Sequence, residues 1–264
     1  MTGEKFLILG NDKKMFACCN RLKDVGYTAV MYDKDKNFTD YDNIILPLPT
    51  IANTKIKGTD ITFDEFSGSL SCVQKVFCGN IDVTPFENYY SYYRDESFLI
   101  NNSRLTAQGV LRLILDTVDC DMIELNAVVI GYGRCGKSIC RLLKNCGFKV
   151  MSASRRKETI IEAYNDCIKA VPINQIEEFV DNTDIVINTV PVNIISTEYI
   201  SRFKSKTIYI EVASKPYGFN ITETDVYNFR YILAESLPGR FLPESAGKNI
   251  ADTVLKILKE EVYG

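Results

Sequence analysis

The residues from Gly131 to Gly136 have the pattern G-x-G-x-x-G, a spacing that suits the pyrophosphate of a dinucleotide. An apolar run precedes them and an amphipathic segment follows, so the sequence predicts a strand, a tight turn and a helix in that order. The first glycine permits the turn, the second lets the backbone approach a phosphate, and the third lets the helix pack on the strand. The other interpretation is a glycine-rich turn without a ligand. The predicted cofactor contacts in this turn are Gly131, Tyr132, Gly133, Arg134, Cys135 and Gly136.

The end of the next strand predicts which dinucleotide binds. An NAD site places Asp or Glu about 20 residues after the first glycine, where it holds the ribose hydroxyls. Here the strand ends in Ser154-Arg155-Arg156, and no carboxylate follows until Glu158. Because arginine side chains match the geometry of a phosphate, these three residues favour NADP over NAD. The alternative is that one or both arginines are solvated residues at a strand end.

Two later strand ends are expected to face the same cofactor, because the carboxyl ends of parallel strands meet at one edge of a sheet. The run 184–188 is followed by Thr189-Val190-Pro191, and the run 207–212 by Ala213-Ser214-Lys215. Thr189, Val190, Pro191 and Ala213 are therefore predicted cofactor contacts. Polar groups of the segment 211–216 are expected to point into the same crevice. The alternative for Pro191 is that it only blocks further strand pairing.

The chain has no histidine, which removes Ser-His-Asp and Cys-His catalysis, histidine-ligated metals and the His-carboxylate pair of many hydroxyacid dehydrogenases. Acid–base chemistry must then use carboxylate, Lys, Tyr, Cys, cofactor or water. The nine cysteines form no C-x-x-C pair, so no metal site is predicted. We expect reduced, mostly buried thiols.

The composition is that of an ordinary globular protein. The chain has 264 residues, 46% of them apolar and 25% charged, and a net charge of −3 that argues against nucleic-acid binding. No apolar run reaches membrane-spanning length, and the first residues lack the order of a signal peptide. A cytoplasmic protein is expected.

Strands and helices alternate along the chain, and two halves share one plan. A turn glycine and a helix-ending glycine are 16 residues apart in both halves (Gly10 to Gly26, Gly131 to Gly147). We predict an α/β fold of two Rossmann-like, doubly wound parallel-sheet domains, with a C-terminal helix that returns to the first. The predicted parts are a flavodoxin- or Rossmann-like substrate domain (1–103), an NADP domain with a linker helix over 106–118 (104–240), and the returning helix (241–264). The cofactor is expected in the cleft between the domains.

The chain resembles the A subunits of dipicolinate synthases, with which spore-forming bacteria make pyridine-2,6-dicarboxylate. The resemblance extends over most of the length and is clearest at the ending 237–247. Two departures are Gln108, where the family has Glu, and Arg104-Leu105, where it has Ile-Pro. The segments that carry the resemblance are Leu9-Gly10-Asn11-Asp12, Leu46-Pro47-Leu48-Pro49, Asn102-Ser103, Thr106-Ala107-Gln108-Gly109, the glycine-rich turn, Asn188-Thr189-Val190-Pro191 and Leu237-Pro238-Gly239-Arg240 onward to Gly247.

The resemblance implies oxidation of dihydrodipicolinate, or its hydroxy-tetrahydro precursor, to dipicolinate. It also implies a partner, the flavoprotein-like B subunit, together with a homo-oligomer and work in the cytoplasm of the mother cell during sporulation. The two carboxylates of such a substrate need cations or hydrogen-bond donors. The predicted cations are Lys215, Arg104 and Arg240, and the predicted neutral donors are Asn102, Ser103 and Thr106. Asn102-Ser103 could instead cap a helix that begins near Thr106.

Two other functions remain open from the residues alone. One is a generic two-domain NAD(P) dehydrogenase for an amino or hydroxy acid. The other is a non-catalytic nucleotide-binding sensor or assembly subunit, which the missing histidine and Gln108 both allow.

Overall fold

The structure is a computed structural model that describes residues 3–81, 88–219 and 229–263. By compactness the chain divides into a first unit, Met1–Asn102 with Pro238–Gly264, and a second unit, Ser103–Leu237. Each unit contains one parallel sheet, of five strands in the first and six in the second. The predicted α/β fold of two parallel-sheet domains is therefore confirmed. The assignment of substrate and NADP roles to domains bounded at 103 and 240 stays a prediction.

The elements are numbered along the chain. Those up to residue 115 are β1 (Lys5–Ile8), α1 (Lys13–Asp24), β2 (Thr28–Met31), β3 (Asn43–Ile45), β4 (Ile51–Ala52), β5 (Lys55–Ile56), α2 (Phe63–Gly68), β6 (Lys75–Cys78), β7 (Tyr89–Ser91) and α3 (Glu96–Leu115). Those after it are β8 (Asn126–Ile130), α4 (Arg134–Asn145), β9 (Lys149–Ser154), α5 (Lys157–Asn165), β10 (Lys169–Pro172), β11 (Ile185–Asn188), α6 (Thr197–Ser201), β12 (Ile208–Glu211), β13 (Arg230–Leu233), α7 (Leu237–Phe241) and α8 (Pro243–Tyr263).

The first unit has the strand order β2-β1-β3-β6-β7, which is the order of flavodoxin-like sheets. The carboxylate of Asp12 caps α1 by accepting the N–H of Met15 at 3.0 Å. The order reverses between β1 and β3. A parallel sheet of this kind binds ligands at such a switch point, beyond the carboxyl ends of its strands.

The C-terminal helix α8 packs into the core of the first unit, as predicted. Ile250, Val254 and Leu258 of α8 join the apolar cluster that Phe6 of β1 and Met15 of α1 build. A Cβ on Gly247 would lie 2.3 Å from the carbonyl oxygen of Lys14, so only glycine allows α8 to approach α1 this closely. Burial of the α8 stripe therefore completes the core of this unit.

The second unit has the strand order β10-β9-β8-β11-β12-β13. Counted along the unit, this is 3-2-1-4-5-6, the order of the Rossmann fold. All five pairings are parallel, and β8 lies between β9 and β11. The switch point therefore lies where β8 and β11 end, beside the glycine-rich turn.

The linker helix was predicted too short. It was expected over 106–118, whereas α3 begins ten residues earlier at Glu96 and ends at Leu115. Its start is fixed by Asp95, whose carboxylate accepts the N–H of Phe98 at 2.8 Å. Asn102 and Ser103 lie inside the helix, so the alternative that they cap it is wrong.

The cysteines were predicted to be mostly buried, and this is wrong. All nine are free thiols, but only Cys18, Cys19, Cys78 and Cys140 are buried. Burial raises the pKa of the Cys78 thiol to about 11, which makes that group unreactive. None of the helices in the described ranges combines the length and apolar composition that a membrane span needs.

Candidate functional site

The turn after β8 is built so that only glycine fits its first position. Gly131 has φ +94°, in the left-handed region, and its N–H donates to the carbonyl of Ala153 at the end of β9 (2.8 Å). A Cβ there would lie 2.6 Å from the hydroxyl oxygen of Thr189 and 2.7 Å from Cγ2 of Val190. The turn therefore packs tightly against the segment that follows β11.

The second and third glycines of the turn have different surroundings. A Cβ on Gly136 would lie 2.1 Å from the carbonyl oxygen of Gly131, so α4 could not pack on the turn with any other residue. A Cβ on Gly133 would meet no described atom within 4 Å. Gly133 is the N-cap of α4, and no described side chain caps that helix. The open space thus lies over a helix N-terminus, which favours an anion such as a pyrophosphate.

Tyr132 contributes its backbone to the turn but not its side chain. The ring is buried, and its hydroxyl donates to the Asp166 carboxylate at 2.6 Å. Arg141 pairs with the other oxygen of Asp166 at 2.7 Å. Burial first, and then Asp166, raise the pKa of the Tyr132 hydroxyl. A cofactor contact of Tyr132 would therefore be made by its main chain.

The end of β9 carries two exposed arginines and suits an anion such as a phosphate. Arg155 and Arg156 are both exposed, and neither forms an ion pair within the described ranges. Arg156 is the N-cap of α5, where no described side chain satisfies the helix N-terminus. The hydroxyl of Ser154 is buried and has no hydrogen-bond partner among the described residues. Two free guanidinium groups beside an uncapped helix form a surface for a dianion.

The segment after β11 is fastened to the glycine-rich turn. The N–H and the hydroxyl of Thr189 both donate to the carbonyl of Ile130, at 3.0 and 2.8 Å. The N–H of Val190 donates to the side-chain oxygen of Asn188 at 3.1 Å. Thr189 and Val190 are half-buried, and Pro191 is exposed. The structure thus brings predicted cofactor residues of β8 and β11 together at the switch point.

Glu211 at the end of β12 is a buried carboxylate that sequence reasoning misplaced. It was expected to point into the crevice, whereas it is 1% exposed and faces the protein interior. It accepts hydrogen bonds from the Asn188 side chain (2.8 Å) and from the N–H groups of Gly218 (2.9 Å) and Ala213 (3.1 Å). Burial raises the pKa of Glu211, and these donors oppose the rise. A carboxylate at the end of an otherwise apolar strand was the sequence signal for a buried hydrogen-bond acceptor.

The predicted substrate residues of α3 divide between two faces of the helix. Ser103 and Thr106 are buried and Asn102 is half-buried, whereas Arg104 is exposed. The hydroxyl of Ser103 lies 3.5 Å from the sulfur of Cys135 in the first turn of α4. The structure therefore brings Ser103 to the glycine-rich turn, with Thr106 on the same side of the helix one turn later. Arg104 lies on a different face.

Gln108, the residue where the family has Glu, also lies away from this turn. It is exposed and follows Arg104 by one helical turn, so it shares the exposed face of α3. Loss of the carboxylate at position 108 therefore does not alter the buried surroundings of Ser103.

The two other predicted cations belong to different units. Lys215 is exposed in the loop after β12 and has no ion pair within the described residues. Ala213 in the same loop is buried, and its N–H also bonds to the carbonyl of Asn188 at 3.2 Å. Arg240 is exposed on α7 of the first unit, with its guanidinium 4.7 Å from the centre of the Phe241 ring. The described residues contain no His, Cys, Asp and Glu cluster that could hold a metal.

Comparison with known proteins agrees with this geometry. Residues 117–217 match the family described as D-isomer specific 2-hydroxyacid dehydrogenase, NAD binding domain. The A subunit of dipicolinate synthase from Bacillus subtilis (strain 168) is 24% identical, over 98% of this chain and 97% of that protein. The chain is similar to this protein over its whole length. The resemblance predicted from the sequence is confirmed, as that of a divergent relative.

Solved structures give the same result for the fold. The A subunit of dipicolinate synthase from Bacillus halodurans superposes with a TM-score of 0.86 at 22% identity, covering 97% of this chain and 98% of that chain. A transhydrogenase from Sinorhizobium meliloti superposes with a TM-score of 0.68 at 14% identity, covering 97% and 94%. Together the comparisons support an oxidoreductase that uses a nicotinamide dinucleotide.

Proposed function

We propose that this protein is an NADP-dependent oxidoreductase that oxidises dihydrodipicolinate, or its hydroxy-tetrahydro precursor, to dipicolinate. Similarity to the A subunit of dipicolinate synthase over 98% of the chain is the observation that carries this proposal. By the same similarity it works with a flavoprotein-like B subunit, as a homo-oligomer, in the cytoplasm of the mother cell of a spore-forming bacterium. The substrate is a small dicarboxylate.

The residues of the second unit would hold the cofactor by its phosphates. The main chain at Gly133 and the N-terminus of α4 receive the pyrophosphate, because this space is open and uncapped. Arg155 and Arg156 receive the 2′-phosphate, with the Ser154 hydroxyl beside them. The bound nicotinamide would accept a hydride from the substrate. These cofactor contacts, with those of Arg134, Thr189, Val190, Pro191 and Ala213, are our proposal for the site.

The chain's own task in the reaction is to orient the substrate. Formation of an aromatic ring favours loss of the hydride, and a chain without histidine has no imidazole base to offer. Lys215, in the loop after β12, has no ion pair among the residues that the structure describes, and it suits one substrate carboxylate. Ser103, Asn102 and Thr106 would donate neutral hydrogen bonds. Arg104 and Arg240 are exposed and are the two further cations that we propose for the substrate carboxylates.

The test is formation of pyridine-2,6-dicarboxylate by the purified chain together with its B subunit. The mixture contains NADP and the hydroxy-tetrahydrodipicolinate precursor, and two quantities are followed: absorbance of reduced nicotinamide and chromatographic yield of the product. We expect both to rise together and neither to rise with a Gly133→Val variant. Nucleotide binding without any product would contradict the proposal and support a sensor or assembly role.

A dehydrogenase of a 2-hydroxy acid is the second candidate, because residues 117–217 match that family's NAD-binding domain. The missing histidine argues against it, since many such enzymes use a His-carboxylate pair. A panel of 2-hydroxy and 2-oxo acids separates the two candidates. Turnover of any of them, without product from the pyridine precursor, would favour the second.

A further inference from the structure

Lys14 is a nearly buried cation at the carboxyl edge of the first sheet. Its side chain is 8% exposed, and it lies in the first turn of α1, shortly after Gly10 ends the β1 turn. Strand order reverses here, between β1 and β3, so the residue lies at the switch point of the first unit. Open α/β sheets bind ligands at this position.

The hydrogen-bonding capacity of the Lys14 ammonium is not fully used. Its ammonium donates to the carbonyl of Leu48 at 2.6 Å, and the nearest carboxylate oxygen of Asp12 is 3.6 Å away, beyond a good hydrogen bond. An ammonium has three donors. Asp12 engages a second donor only through this long ion pair, and the described part of the chain offers nothing to the third, so hydrogen-bonding capacity remains in a position that water reaches poorly. Buried donors are normally satisfied, which points to a ligand.

A residue without a side chain lies beside the Lys14 ammonium. Gly239 lies on α7, in the L-P-G segment that most clearly marks the resemblance. A Cβ on Gly239 would meet only Lys14, with Nζ and Cδ each 3.7 Å away. Gly239 has no left-handed φ that would demand glycine. Glycine at this position therefore keeps space beside a buried cation.

The charges around Lys14 favour an anion. Burial lowers the pKa of Lys14, nearby Asp12 opposes this, and Lys57 lowers the pKa further as a second cation. The other oxygen of Asp12 accepts the N–H of Met15 at 3.0 Å and is thereby committed to the helix cap. Two lysines against one carboxylate leave a local excess of positive charge. A carboxylate that accepts the unused donors of Lys14 would compensate it.

We propose that Lys14 binds one carboxylate of the substrate, at the switch point of the first unit, with Gly239 keeping the space for it. This inference rests on the proposed function for the identity of the ligand as a dicarboxylate. Lys14 is buried, whereas the cations that sequence reasoning had selected, Lys215, Arg104 and Arg240, are all exposed. In this role Lys14 contacts one carboxylate of the substrate, whereas hydride transfer takes place at a different part of the same molecule.

The test measures carboxylate binding and nucleotide binding separately in the full chain. Calorimetric titration with pyridine-2,6-dicarboxylate, and with malate as a second carboxylate probe, is done on the parent and on Lys14→Met. Methionine keeps the length of the apolar stem and removes the charge. Lys23→Met, an exposed lysine of the same helix, is the matched control. NADPH fluorescence titration of each variant reports whether the second unit is intact.

We expect Lys14→Met to weaken pyridine-2,6-dicarboxylate binding about tenfold or more. NADPH affinity and the Lys23→Met control should stay within about twofold of the parent. Gly239→Ala is the second variant. Its new Cβ would make ordinary contacts only, so the fold should persist while carboxylate affinity falls.

Two outcomes would overturn the Lys14 inference, and a third would support it while contradicting the proposed substrate. Lys14→Met could lower the unfolding temperature and still bind the dicarboxylate as tightly as the parent. Lys14 would then only stabilise the fold through its hydrogen bond to the Leu48 carbonyl, and the inference would be overturned. If the parent binds neither carboxylate, it is overturned as well. If the parent binds malate but not the pyridine dicarboxylate, and Lys14→Met abolishes this, the Lys14 inference holds and the proposed substrate fails.

Discussion

The carbonyl oxygen of Gly131 lies 2.1 Å from the position that a Cβ of residue 136 would occupy. The third glycine of the pattern is thus required by the protein itself, because it closes the strand–turn–helix unit. The second has no such constraint, since a Cβ on Gly133 would enter open space. Packing therefore requires glycine at position 136 but not at position 133.

Substitution of these two glycines should therefore separate stability from binding. We expect Gly136→Ala to lower the free energy of unfolding by about 1–3 kcal/mol, because α4 must move away from the turn. Gly133→Ala should change it by less than about 1 kcal/mol and yet weaken NADPH binding about tenfold or more. Urea unfolding and NADPH fluorescence titration measure the two effects. A Gly133→Ala protein that binds NADPH like the parent would place the pyrophosphate elsewhere.

The arginine pair after β9 should determine the choice between NADP and NAD. Each charge-assisted hydrogen bond is worth about 1.5–3 kcal/mol, so losing one from each arginine in Arg155→Ala with Arg156→Ala should weaken NADP binding about 100-fold or more. NAD binding should hardly change, since NAD lacks the 2′-phosphate. Arg202→Ala, which removes an exposed arginine paired with Asp181, is the control. Equal losses for both nucleotides would mean that the arginines do not read the 2′-phosphate.

The sequence could predict the fold because its signals are local. The spacing of Met15, Cys18, Cys19 and Leu22 matches one face of α1, and all four are buried in the core. The start of α3 could not be found in the same way. Asn and Ser favour helix caps, which made Asn102-Ser103 look like a beginning, whereas burial of Phe98 extends the helix over them.

The site could be predicted only where its residues lie close together in the sequence. The glycine pattern and the arginine pair each lie within a short stretch of sequence, and the structure places them directly after β8 and β9. Glu211 and Lys14 are different, because their partners are remote: Asn188 lies 23 residues from Glu211, and Leu48 lies 34 residues from Lys14. Burial of a charged group depends on such distant contacts, which no local pattern contains.

Glu211 should position the loops that follow β11 and β12. Its oxygens accept the N–H groups of Gly218 and Ala213 and the amide of Asn188, so Glu211→Gln would turn an amide donor toward another donor. We expect the free energy of unfolding to fall by about 1–3 kcal/mol. Affinity for NADPH should fall more than affinity for 2′-phospho-ADP-ribose, which lacks the nicotinamide. Equal losses would show that Glu211 supports the unit as a whole and not this end of the cofactor.

Asp95 should make the start of α3 sensitive to acid. Burial would raise the pKa of Asp95, but Lys256, Ser97 and the N–H of Phe98 outweigh it and hold the pKa at about 2. A lowered pKa means that this stabilisation is complete above the unfolded value of about 3.9 and is lost as the pH falls toward 2. Because Lys256 is 46% exposed, we expect Asp95→Asn to cost only about 1 kcal/mol at pH 7. In urea unfolding from pH 7 to pH 2 that difference should shrink toward zero, whereas Lys259→Met, which changes an exposed lysine on α8, the helix of Lys256, should show no such trend. A cost that stays constant over this range would mean that the charge of Asp95 does not support the helix.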